Sequence, residues 1–556
     1  MPSAVTRVRA AHARIAAVDR PEIWIDLRPE ADVAAEAAAL DARTARGEQL
    51  PLAGRLLAVK GNIDVAGLPT TAGCPAYAYT PVEDSPAVAR LRAAGALVLG
   101  TTNLDQFATG LVGTRSPYGA VRGAVDPTRI SGGSSSGSAV AVALGIADLA
   151  LGTDTAGSGR VPAALNGIVG LKPTYGLVPT AGVVPACASL DCVTVFARTL
   201  PEAERALSFM TDPAPAPPAR APGPWRVAVP HTGHLGGLAP GWAAAYESAA
   251  RQLADAGAEL REIDLTPFTA AAALLYEGAF VAERYTAVGA FIDKTLIDKT
   301  TADPALDPTV RDIITRARDI PAHRLFADQA RLAALRTAAF AQLADADALL
   351  LPTTTEHPTL DEVAADPLGV NARLGRFTNS TNLFGLCATA VPAGTADGLP
   401  FGVMLIGRAH TDDRVSRIAG LLTTPPARIA VVGAHLTGQP LNGQLLALGA
   451  EFECSTTTAA TYRLHALPTR PAKPGLVRVG PAEGAAIEAE VWRIPAAGLG
   501  QLLTTLPRPM TLGSVTLADG TEVPGFLCEP SALAADAPDI THHGGWRAYL
   551  AARGRG

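Results

Sequence analysis

Charge is scarce in this chain. Of its 556 residues, 18% are Asp, Glu, Lys or Arg, below the ~25% usual for soluble domains. Hydrophobic residues make up 48%, enough apolar surface to offset ordering entropy, which excludes disorder as a general description. Basic runs are missing too. With 46 Lys+Arg against 52 Asp+Glu and a net charge of −6, neither a nucleic-acid partner nor an anionic membrane surface is expected. Cysteine is sparse and scattered (Cys74, Cys187, Cys192, Cys387, Cys454 and Cys528, with no CxxC pair). This argues against structural zinc and a disulfide framework and favours a reducing, cytoplasmic setting. Long apolar runs are absent. The longest, Ala139–Leu151, carries Asp148 and falls short of the ~18–20 residues that span a bilayer. MPSAVTRVRAAHARI at the start lacks the apolar core of a secretion signal. There is no internal repeat and no phosphate-cradling GxxxxGK[ST] string.

Glycine (54) and proline (45) are plentiful, so turns should be frequent. At about 100–200 residues per domain, the length predicts more than one domain. Residues 1–50 read as helical from ADVAAEAAALDARTARG and its neighbours. A core over 51–200 alternates apolar strands (RLLAVKGNID, ALVLGTTN, DLALGTDT) with helices (SPAVARLRAAG, SAVAVALGIA), the pattern of an α/β sheet covered on both faces. The Pro/Ala connector Asp212–Pro224 reads as a surface loop. Beyond it the pattern predicts the strand WRVAVP, a long helical stretch from about 240 to 345, and the strands ADALLLPTT and LPFGVMLIGR. A second break at Leu421–Val431 precedes short strand-like pieces and a hairpin signal at Asp519-Gly520. The division expected is therefore a large α/β domain over 1–425 and a smaller α+β domain over 426–556.

Three segments could carry chemistry: Val59-Lys60-Gly61-Asn62, the loop SGGSSSGS over 131–138, and GTDTAGSGR over 152–160. A flexible linker is the plain reading of the second, and a capped glycine turn of the third. Both loops, however, lie between strongly apolar segments, and successive backbone amides in such loops form anion-binding concavities. The string Gly133-Ser-Ser-Ser-Gly137 satisfies GxSxG, but the Pro-containing GAVDPTRIS precedes it where a nucleophile elbow needs a strand. No histidine occurs between His12 and His231 to serve as a nearby base. Lysine is the neighbour that remains. At the end of an apolar strand Lys60 would be partly desolvated, with a lowered pKa, and could activate a serine through a second serine.

On VKGNID, SGGSSSGSA and GTDTAGSGRVPAALNGIVGLKPTYG, in that order and with Lys60 and Ser134 74 positions apart and Ser134 and Ser158 24 apart, the chain resembles the amidase signature family. The resemblance covers roughly 50–420 and closes with NLFGLCATAVPAG and LPFGVMLIGR. It implies the amidase-signature fold, a mixed central sheet covered by helices. It also implies Ser158 as acyl-enzyme nucleophile, Ser134 as bridging serine held by a cis peptide, and Lys60 as ultimate base. The amides of Thr155, Ala156, Gly157 and Ser158 would form the oxyanion hole. Ser136 stands where glycine is usual, and Ala156-Gly-Ser-Gly159 replaces the commoner Gly-Gly-Ser-Ile; both reshape the pocket without removing a catalytic atom.

TDTAGSGRVPA, with VVGAHLTGQPLNGQL later, is similar to the allophanate hydrolase branch, which deaminates urea-1-carboxylate in urea and cyanurate breakdown. For so small an anion the resemblance implies Tyr276 and Arg284, eight residues apart and on one face if their segment is a single helix. Gly110 and Asn382 are further substrate contacts under this reading. The second domain resembles γ-glutamylcyclotransferase-like folds, with His435 as its candidate site residue. Neither cofactor nor metal is expected; the partners expected are the substrate, a second copy in a homodimer, and other enzymes of the pathway. Alternative functions are an amidase acting on aryl or aliphatic amides, or an amidotransferase A-type subunit.

Overall fold

In the computed structural model the described residues are 3–554, without 214, 217–219, 221, 298–304, 424–426, 449, 495 and 534–536. They divide into two compact units, Met1–Thr423 and Thr424–Gly556. Both connectors named above, Asp212–Pro224 and Leu421–Val431, lie partly outside the described residues. No helix among the described residues is long and apolar enough to cross a membrane.

The first unit is built on an 11-stranded sheet. Its strands are β1 (Trp24–Leu27), β2 (Leu56–Lys60), β3 (Leu97–Thr102), β4 (Leu149–Asp154), β5 (Val169–Lys172), β6 (Cys192–Ala197), β7 (Arg226–Pro230), β8 (Glu259–Ile263), β9 (Ala348–Pro352), β10 (Cys387–Ala396) and β11 (Leu399–Gly407). The order is β1-β3-β2-β4-β6-β5-β10-β11-β9-β7-β8. The sheet is mixed: β3, β2 and β4 run parallel, the strands from β4 to β9 pair antiparallel, and β9, β7 and β8 are parallel again.

Continuous apolar runs form the central strands because both faces are covered. Leu57, Val59, Val98, Leu149 and Leu151 face one core; Leu56, Ala58, Leu97, Leu99 and Ala150 face the other. Of the helices α1 (Ala4–Val18), α2 (Glu30–Ala45), α3 (Pro86–Ala93), α4 (Ser136–Ala143), α5 (Val161–Leu165), α6 (Leu200–Met210) and α7 (Trp242–Asp255), α3, α5, α6 and α7 line the first core. The others, α1, α2 and α4, pack into the second.

Two expectations need correction. Residues 1–50 are not wholly helical, since β1 intervenes as an edge strand paired to β3. The stretch from 240 to 345 is interrupted after α7 by β8, then broken into α8 (Thr266–Glu277), α9 (Ala282–Ile297) and further helices. ELREI in β8 is an edge strand with four of its five residues exposed, so it shows none of the apolar alternation by which strands are read.

The second unit holds a five-stranded sheet whose members, in spatial order, are 451–457, 488–494, 427–431, 522–528 and 510–516, with a separate hairpin of 462–467 and 473–478. Asp519-Gly520 lies between 510–516 and 522–528, which pair antiparallel, and Gly520 has φ +84°. Leu464, Leu476, Val491, Trp492 and Phe526 contribute to its core.

Candidate active site

Parallel pairing brings the C-terminal ends of β2 and β4 side by side: Val59 pairs with Leu151. Lys60, the last residue of β2, thereby reaches Thr153 near the end of β4, with Nζ 2.7 Å from Thr153 Oγ1. Ligand sites of open α/β sheets form at such strand ends. Lys60 is fully buried. Burial pushes its pKa down to about 7, against the pull of the Asp105, Asp191 and Asp154 carboxylates, so much of it is neutral at physiological pH.

The loop before α4 supplies the next group. Ser134 Oγ lies 2.8 Å from Lys60 Nζ, and the Gly133–Ser134 peptide is cis. Asp105 holds this loop. It accepts from the amides of Val112, Gly113 and Arg115, its own amide donates to Ser134 O, and a Cβ at Gly133 would come within 2.1 Å of Asp105 Oδ2. Ser135 secures the other side by donating to Thr153 O at 3.1 Å.

The loop between β4 and α5 carries Ser158. Asp154, at the end of β4, accepts from the Gly157 amide at 2.8 Å and the Gly159 amide at 3.0 Å. Its carboxylate also forms a two-pronged pair with Arg160 (2.9 and 3.0 Å), and both side chains are fully buried. Burial opposes the charge, but the Arg160 guanidinium holds the Asp154 carboxyl below its ordinary range. The amides alternate as a result: those of Gly157 and Gly159 face Asp154, while those of Thr155, Ala156 and Ser158 have no acceptor among the described hydrogen bonds. Of the four amides expected in an oxyanion hole, Gly157's is therefore already spent. Gly157 has φ +130°, and a Cβ there would meet Thr378 Oγ1 at 2.4 Å, so glycine is required on two counts.

Ser158 Oγ donates to Gly110 O at 3.5 Å, and among the described residues no hydrogen bond joins it to Ser134. Gly110 thus lies beside the nucleophile candidate. Asn382 does not take the place expected of it. Its Oδ1 accepts from Arg160 at 2.8 Å, and its Nδ2 donates to Asp154 O and Leu190 O. Both ends brace the Ser158 loop.

Tyr276 and Arg284 meet, but not as expected. They belong to α8 and α9, which are separated by Gly278 and a short turn over Ala279–Val281. A Cβ at Gly278 would approach Leu274 O to 2.5 Å, and the Ala279 amide donates to Asp328; the chain turns there instead of continuing one helix. Across the break Arg284 Nη2 donates to Tyr276 Oη at 3.1 Å. Nη1 donates to Thr109 Oγ1 at 2.8 Å and Ala108 O at 3.3 Å. Arg284 is 2% exposed, its Nε has no partner, and among the described ion pairs it has no carboxylate.

The network also contains residues that pattern reading did not single out: Asp105, Thr153, Asp154, Arg160, Thr378 and Asp191, the last accepting from Thr155 Oγ1 and the Ala186 amide. For Asp154 a signal was present. An aspartate three and five residues before two glycines is placed to cap their amides.

In the second unit His435 lines a cavity with Gln444, Lys473, Thr505 and Phe526. Its Nε2 is 2.9 Å from Gln444 Oε1, its ring stacks on Phe526 with centroids 4.7 Å apart, and burial lowers its pKa.

A lysine–serine pair and a glycine-loop serine at the strand ends of a mixed sheet define the class: a serine-dependent amide hydrolase site. The model of the Amidase family matches residues 7–415, and the chain belongs to that family. Residues 427–551 match the Allophanate hydrolase C-terminal domain. The chain is 42% identical to the urea amidolyase of Saccharomyces cerevisiae over 95% of its own length and 31% of that protein, so it spans about a third of that relative. The urea amidolyase of Lachancea kluyveri is 43% identical over the same shares, 95% of this chain and 31% of the relative. Among solved structures, the allophanate hydrolase of Kluyveromyces lactis superposes with a TM-score of 0.68 at 38% identity, covering 99% of this chain and 97% of that one.

Proposed function

We propose that the chain hydrolyses the terminal amide of allophanate, urea-1-carboxylate. The observation that carries this reading is Arg284, a buried cation with an unpartnered Nε and no carboxylate of its own among the described ion pairs. A buried N–H without an acceptor costs about 1–3 kcal/mol, and the carboxylate of a small anionic amide would relieve that cost on binding. An aryl or aliphatic acyl group would leave it standing.

Neutral Lys60 accepts the Ser134 proton as Ser134 takes that of Ser158, whose Oγ turns from Gly110 O to attack the amide carbonyl. The oxyanion is received by the free amides of the Ser158 loop, each typically worth ~10²–10³ in rate. The proton returns through Ser134 to the departing nitrogen and ammonia leaves. Water then repeats the sequence on the acyl-enzyme and releases N-carboxycarbamate. This decomposes to ammonia and carbon dioxide, either in solution or at His435 of the second unit, whose cavity also carries Lys473. The similarity to urea amidolyases supports a place in urea breakdown, with cyanurate breakdown as the other source of allophanate. We take the working form to be a cytoplasmic homodimer.

Ammonia release from allophanate, compared with release from an aryl amide, tests the reading. Faster turnover of allophanate is expected; hydrolysis of the aryl amide alone would overturn it.

A further inference from the structure

One short segment, Phe107–Gly110, touches both ends of the site. Ala108 O and Thr109 Oγ1 accept from Arg284, and Gly110 O accepts from Ser158. Consecutive Cα atoms are only about 3.8 Å apart, so the tie between the cation and the nucleophile is one or two residues long. The segment is also tightly wound. Phe107 and Ala108 both have φ +51°, a left-handed conformation that is strained in a non-glycine residue and persists where surroundings enforce it. The enforcing contacts are present: the Thr109 amide donates to Gln106 O, Thr109 O accepts from Arg115, and the Leu111 amide donates to Asn371.

Thr109 is one of three groups that hold the Arg284 guanidinium, with Ala108 and Tyr276. Its hydroxyl has a single proton, which goes to Phe107 O at 3.1 Å; toward Arg284 it can therefore only accept. With Nη1 engaged by Thr109 and Ala108, and one Nη2 proton by Tyr276, Nε–H and the second Nη2 proton are uncommitted among the described residues. Nε and Nη2 share one edge of the guanidinium, the edge that receives a carboxylate side-on.

We propose that Thr109 is the positioning residue that turns this edge of Arg284 toward the substrate. The short Phe107–Gly110 tie thereby selects amides whose carboxylate stands close to the scissile carbonyl. The proposal rests on the reading of Arg284 as carboxylate anchor, and it adds a residue that neither contacts substrate nor takes part in proton transfer.

The test uses the full chain with Thr109→Val, which keeps shape and removes the acceptor, and Thr109→Ser, which keeps the acceptor. Two quantities are read. One is steady-state kinetics on allophanate. The other is calorimetric affinity for malonate, a dicarboxylate with one atom between its carboxyl carbons. T109V should raise KM and weaken malonate binding about tenfold, the loss of one hydrogen bond to a charged group, while kcat stays within about twofold; T109S should behave as wild type. Unchanged KM and malonate affinity in T109V overturns the proposal. So does a T109S as impaired as T109V, since methyl packing would then be what matters. If wild type binds malonate with this Thr109 dependence but does not turn over allophanate, the substrate reading fails and the positioning role stands. If wild type binds neither, both fall.

Discussion

Lys60 sets the pH behaviour of the site. It must be neutral to accept a proton, and burial brings its pKa down to about 7. Below that value Lys60 is charged and cannot act as base; above it the base form accumulates. The dependence of kcat/KM on pH reports groups of the free enzyme, so the profile should rise with pH through about 7 and then level off. A profile falling across the same range would contradict a lysine base. The sign for stability is the same. Between about 7 and the ordinary lysine value the unfolded chain binds the proton that the folded chain does not, so stability gains with pH there. Arg284→Lys should raise KM for allophanate, because an ammonium cannot offer two parallel N–H groups. Steady-state kinetics at fixed pH would show this, and an unchanged KM would count against the carboxylate role.

The element that matters most is the loop from Asp154 to Arg160. One fully buried ion pair and two capped amides orient it, and Thr378 donates to Ala156 O from the far side. Arg160→Met would leave the Asp154 carboxylate buried without its cation, and should cost about 3–5 kcal/mol of stability, readable as a shift in denaturant midpoint. Gly157→Ala meets both the positive φ and the Thr378 contact, and should lower kcat by about 10²-fold through displaced amides. Pattern singles out Lys60 and the two serine loops, and the resemblance to the amidase signature family points to Ser134 and Ser158 within them, since the motifs are contiguous in sequence. The partners that hold those motifs come from elsewhere: Asp105 from the segment after β3, Asn382 and Thr378 from the region before β10. Asn382 reads as a polar residue beside a signature and so as a ligand contact; only the folded chain shows both ends of its amide joined to Arg160, Asp154 and Leu190. The break at Gly278 is equally silent in sequence, because α8 and α9 are both helical and a lone glycine does not announce where a helix ends.

For the molecule as a whole, the strand-rich core was legible from its apolar runs because a sheet covered on both faces permits no polar alternation. The edge strand β8 was not, because it is mostly exposed and four of its residues face solvent. In the proposal the first unit carries acyl transfer, and His435 of the second is one of two places where the carboxylated product decomposes, solution being the other. With decomposition at His435, His435→Ala should leave release of the first ammonia unchanged and delay the second. Time-resolved ammonia yield per allophanate consumed would show it, and identical time courses for variant and wild type would place that step in solution.

In the proposed reaction Ser158 attacks an anionic amide held by Arg284. Its most direct test is the Ser158→Ala variant, assayed for ammonia release from allophanate beside calorimetric binding of malonate. No detectable turnover is expected, with malonate affinity equal to wild type, because the nucleophile is gone and the carboxylate site is intact. Ammonia release at the wild-type rate would contradict it.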